Sequence, residues 1–324
     1  MKRQLLGVAA ILLSISTYAQ DNPLWMRYCA ISPDGTTIAF TYKGDIYTVP
    51  STGGRASQIT TNPAHDTKPI WSPDGKKIAF ASDRMGSMDI FEVNKEGGIP
   101  KRLTTHSGNE TPVAYKDAGH ILFLANIMPT AEDAQFPSGQ FQQVYEVNTE
   151  GGRPILFSSM PMEDISINHT GNTLLYHDKK GYEDPWRKHH TSSITRDIWL
   201  CSLNGNRTFR KQTTFNGEDR TPVWASDDKS FYYLSEEKGS FNIFKRDIDG
   251  NTSKQITNHT KHPVRFLSAA SNGTLCYGYD GEIYTVKEGA IPQKVQISIV
   301  TDKNDKDLIR QIKRSGATEI SLSP

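Results

Sequence analysis

The densest group of side chains able to do chemistry lies in the run WRKHHTSSITR, which sets Arg187, Lys188, His189 and His190 close to Arg196. Fixed positive charges beside imidazoles can hold a carboxylate through charge-assisted hydrogen bonds. These five residues are the candidate binding residues. The bland reading is a solvated loop in which the cations pair with Glu183 and Asp184. A metal site fits poorly, because adjacent residues of an extended chain point in opposite directions.

Catalytic signatures are missing. The chain has no G-x-S-x-G elbow, no H-E-x-x-H, no phosphate-binding G-x-x-x-x-G-K-[ST] and no Cys/His set with zinc spacing. DIDGN (Asp247 to Asn251) suggests a calcium loop but lacks the distal Glu, and reads as a hairpin turn. Asp227 and Asp228 likewise sit in turn sequence. Trp71 and Trp224 end equivalent strands and either line an axis or pack in the core. No catalytic residue, metal or other cofactor is expected.

The elements that would position the cationic run come from an internal repeat. ISPDGTTIAF (Ile31 to Phe40) and WSPDGKKIAF (Trp71 to Phe80) are nearly the same ten residues. Each is followed by a second apolar run, DIYTV or DIFEV, then a Gly-Gly pair, then QIT or RLT. The same order returns four more times in degraded form, through QVYEV, DIWLC, NIFKR and EIYTV. Four short apolar runs separated by turn signals make a four-stranded antiparallel blade, and blades arranged radially make a β-propeller. The expected fold is therefore all-β, a six-bladed β-propeller of four-stranded antiparallel blades. Blade starts are expected near Leu24, Thr67, Asn109, Met162, Arg220 and His262.

Turn chemistry supports this. In SPDG, Pro presets φ for the first central position, Asp bonds back to the backbone and Gly supplies the left-handed residue. Asp228 replaces that Gly in the fifth repeat, which predicts a strained turn in an unchanged fold. Ile78 and Phe80 on one strand face, with Ala79 on the other, suit a strand packed between two blades. Two units are stretched between their second and third strands, at Ile127 to Gln142 and Lys179 to Arg196. Loops of that length inside compact repeats tend to be functional.

Residues 1–19 stand apart. Lys2 and Arg3 precede an apolar run ending near Ile15, and small residues follow. This reads as a secretory signal peptide cut between Ala19 and Gln20, which implies a periplasmic or otherwise exported protein. The run is about half of the ~20 residues a spanning helix needs. Its removal leaves 35 Lys+Arg against 36 Asp+Glu, so no basic field for nucleic acid remains and no membrane association is expected. Cys29, Cys201 and Cys276 are odd in number and widely spaced inside apolar runs, so buried free thiols are expected.

KPIWSPDGKKIAFASDRMGSMDIFEV resembles the repeat of TolB-type and tricorn-type propellers. YEDPWRKHHTSSITRDIWL and the closing IKRSGATEISLSP resemble the amino-terminal part of exported tricorn-like serine peptidases of the Bacteroides type. The resemblance implies residues 20–301 as a six-bladed propeller and residues 302–324 as a linker with the truncated start of a second propeller. It also implies a non-catalytic channel or filter for peptides or products, a docking surface for other domains, and a full-length protein able to homo-oligomerise. None of that family's catalytic residues has a counterpart here. The alternative is a TolB-like periplasmic interaction propeller. DKDLIRQIKR in the tail predicts a short helix.

Overall fold

In the computed structural model, which describes residues 23–127, 141–182 and 191–300, the SPDG stretches are turns held by their own side chains. Ser72 Oγ donates to Asp74 at 2.7 Å and accepts from the Lys77 amide at 2.9 Å, while Gly75 takes φ +67°. Ser32, Asp34 and Gly35 repeat the arrangement. Asp228 adopts φ +52°, the left-handed conformation expected to strain a non-Gly residue. Its carboxylate accepts from His169 of the preceding blade at 2.6 Å.

Six sheets of consecutive strands follow, one per repeat. Their first strands are Arg27–Ile31, Asp66–Trp71, Thr111–Asp117, Met162–Ile167, Asp219–Trp224 and Arg265–Ala269, all starting within three residues of the expected positions. The Thr that closes the QIT-like signature has a defined task. Thr60, Thr104, Thr213 and Thr257 each accept, through Oγ1, from the amide of the second residue of their blade's third strand or its immediate neighbour, at 2.9–3.0 Å.

The apolar core is divided into six clusters, and each spans the seam between two neighbouring blades. Ile78 and Phe80 face blade 1 while Ala79 faces blade 3, as the alternation requires. Trp71 and Trp224 belong to this packing. Each donates its indole N–H to a carbonyl on the first strand of the preceding blade, Ala30 at 2.8 Å and Ser166 at 3.0 Å. Asp247 to Asn251 is a turn closed by Gly250 N–H to Asp247 O at 3.0 Å. All three cysteines are buried and free.

Every blade is made of its own four strands. The ring closes differently: Ile297–Ile299, after blade 6, adds in parallel to the outer edge of blade 1 at Gly54–Gln58. Among the described residues there is no helix. The predicted tail helix, residues 302–324 and the leader lie outside the described residues.

Candidate functional site

Where the first strands meet, they enclose an axial cavity of about 550 Å³ lined by residues from all six blades. Each first strand carries a β-bulge. In five blades the bulge residue is a non-glycine in the left-handed region: Tyr28, Lys68, Asp164, Thr221 and Phe266, with φ between +49° and +57°. Blade 3 has Pro112 at the equivalent place, whose ring forbids positive φ. All six line the cavity. Left-handed non-glycine residues cost energy and cluster at functional sites, and bulges re-aim side chains.

The wall formed by blades 4 and 5 is charged. Glu163 accepts from Lys179 Nζ at 2.6 Å and lies 3.3 Å from His177 Nε2. The Thr221 amide donates to His177 Nδ1 at 3.2 Å, so Nδ1 is the acceptor and Nε2 carries the proton facing Glu163. Burial alone would raise the Glu163 pKa. The hydrogen bonds and charges of His177 and Lys179 outweigh it and hold the carboxyl well below its usual range. Asp164 accepts from Thr221 Oγ1 at 2.6 Å.

Arg196 enters the same wall. It pairs with Glu218 at 2.8 Å, both side chains almost fully buried, and its Nε lies 3.7 Å from Glu163. Glu218 also lies 3.5 Å from Arg220, whose guanidinium sits 4.0 Å from the centre of the Phe241 ring. Burial, set against the attraction of Glu218 and reinforced by repulsion from Arg265 and Arg196, pushes the Arg220 pKa down to about 10.

The stems of both long loops reach this end of the ring. Gln142, Lys179 and Arg196 line the cavity, and Phe141 stacks on Tyr182 with ring centres 6.4 Å apart. Because strands alternate in direction, hairpins between second and third strands share one end of the ring with the links between blades. Exposed Leu24, Trp25, Met85, Met160 and Tyr182 fall on those segments.

This architecture has known relatives. Residues 23–290 match the family model described as the tricorn protease N-terminal beta propeller domain. The chain belongs to that family. It is similar to tricorn protease homolog 1 of Streptomyces coelicolor, 25% identical over 281 residues covering 86% of this chain and 25% of that protein. It is also similar to the tricorn protease homolog of Saccharolobus solfataricus, 27% identical over 295 residues covering 87% and 26%. A crystal structure of the tricorn protease shares the fold, with a TM-score of 0.72 at 20% identity, over 87% of this chain and 27% of that one. The protein therefore spans about a quarter of the curated relatives it matches.

In this tricorn-type propeller the five sequence-predicted binding residues separate. Arg187, Lys188, His189 and His190 lie outside the described residues. Arg196 is not a solvated loop cation: it is buried in the seam between blades 4 and 5 and faces the axis. Sequence reading missed Glu163, His177, Glu218, Arg220, Arg265 and the bulge ring. A signal existed, since RTP at Arg220 to Pro222 and TKP at Thr67 to Pro69 repeat one step before each Trp-ended strand closes. Nothing local shows that these segments converge. Among the described residues, no group of three His, Cys, Asp or Glu side chains is placed to hold a metal.

Proposed function

We propose that this protein is the non-catalytic propeller of a tricorn-like serine peptidase, passing and sorting peptides or products along its axis. The single observation carrying this reading is the axial cavity, bounded by all six blades and ringed by strained bulge residues. Its end reached by the stems of the two long loops and carrying the exposed Leu24, Trp25, Met85, Met160 and Tyr182 is the surface that would dock other domains of the parent protein. The leader-like residues 1–19 support export, with a mature protein starting at Gln20. Amino-terminal sequencing of the secreted protein tests that start.

The axial reading is tested with a photoreactive benzophenone peptide and mapping of the labelled residues by mass spectrometry. Labels on the first strands of several blades are expected. Labels confined to the outer strands would overturn it.

A further inference from the structure

The cavity combines an aromatic corner with a charged wall. In the corner, Tyr28 and Phe266 lie with ring centres 4.8 Å apart, beside Pro69 and Ile70, and Lys68 Nζ stands 5.8 Å from the centre of the Tyr28 ring. The described lining residues include five cations, Lys68, Lys179, Arg196, Arg220 and Arg265, against two carboxylates, Glu163 and Asp164. Behind the wall, Glu218 serves Arg196 and Arg220 together.

Guanidinium groups drawn from blades 4, 5 and 6 thus line one cavity, Arg196 and Arg220 buried and Arg265 half-buried. Packing of this kind is stabilised by an anion that offers oxygens to several donors at once. The volume, about 550 Å³, suits a few residues of a peptide.

We propose that the axial cavity binds a peptide carboxylate with an apolar side group beside it, the carboxylate on the Arg196–Arg220–Arg265 wall and the apolar group on Tyr28 and Phe266. The inference rests on the axial-passage reading and names the ligand chemistry of that same site. The free carboxyl terminus of a peptide and an Asp or Glu within it both supply this group.

Calorimetric titration of the whole protein with three probes decides it: N-acetyl-Gly-Gly-Phe as the free acid, the same tripeptide as its terminal amide, and N-acetyl-Gly-Glu-Phe amide. A carboxylate-bearing probe should bind about tenfold or more tightly than the neutral amide, the difference a charge-assisted contact supplies. Preference for the first or the third probe names the source. Arg265→Gln should remove most of that advantage while leaving affinity for the neutral amide unchanged. Lys68→Gln, at a half-buried position, should reduce it in the same direction and serves if Arg265→Gln fails to fold. Raising salt should erode the advantage. Equal affinities of all three probes, with mutual competition, would overturn the carboxylate site and leave the axial reading standing. Failure of all three probes to bind would overturn both.

Discussion

Arg196 and Glu218 form an ion pair at 2.8 Å across the seam between blades 4 and 5, with side chains only 6% and 1% exposed. Breaking such a pair from one side strands a charge in a medium that solvates it poorly. Glu218→Leu, which takes the shared carboxylate from both Arg196 and Arg220, should therefore lower unfolding free energy by about 3 kcal/mol, and more than Arg196→Met, which leaves Glu218 beside Arg220. Urea unfolding of both variants checks this. A Glu218→Leu variant as stable as the parent would mean the pair contributes nothing.

Glu110 is fully buried, and burial, aided by the Asp89 carboxylate and opposed by Thr104 and Arg102, pushes its pKa up to about 7 from 4.5. A carboxyl that binds its proton more tightly when folded stabilises the fold fully below pH ~4.5. That contribution is lost as pH rises through about 7, up to ~3 kcal/mol. Glu110→Gln should flatten the decline in melting temperature between pH 5 and 8. An unchanged slope would place the titration elsewhere; Asp219, also pushed up to about 7, is the next group to replace. Glu163 acts in the opposite sense, its contribution being lost only as pH falls below its ordinary range.

Gly53 sits at φ +93°, and a Cβ there would come 2.6 Å from the Gln296 carbonyl oxygen. Gly53→Ala must move the strand that closes the ring. Destabilisation by about 2 kcal/mol is expected from the backbone conformation, with added cost from the clash. Gly54→Ala, where φ is +123° but the space is open, should cost the backbone term without the clash. Limited proteolysis should cut near residues 296–300 faster in Gly53→Ala than in Gly54→Ala.

Cys29 and Cys276 lie in the seam between blades 6 and 1, and burial, with the neighbouring Cys29 thiol, raises the Cys276 pKa. Thiolate is the reactive form. The native protein should show almost no reaction with a water-soluble disulfide reagent at pH 8, and three thiols should react after denaturation. Rapid native labelling would show that this seam opens.

Everything carried by near neighbours along the backbone was legible in the sequence. The SPDG turn, the Gly-Gly hairpin and the Ile-Ala-Phe alternation depend on φ preferences and a two-residue period, so blade count and strand positions followed from them. In sequence Trp71 and Trp224 fit the axis and the core equally, because both places reward an aromatic ring. Their indole N–H groups found carbonyl partners one blade back, at Ala30 and Ser166.

The site depended on convergence. Glu163 and His177 face each other across one hairpin, whereas Arg196, Glu218 and Arg220 join them only when blade 5 packs on blade 4. Arg196 shows the limit most clearly: beside Arg187 and Lys188 in sequence, it reads as a loop cation. In the fold its strand start is drawn into the seam, where Glu218 offsets the loss of water. The sequence by itself determined the repeat, the turns and the alternation that builds each blade, because these are local. The tertiary structure decided which bulges face the axis, which charges pair there, and how the strand Ile297–Ile299 closes the circle. Those outcomes depend on contacts between residues far apart in sequence, whose energies exist only once the ring has formed.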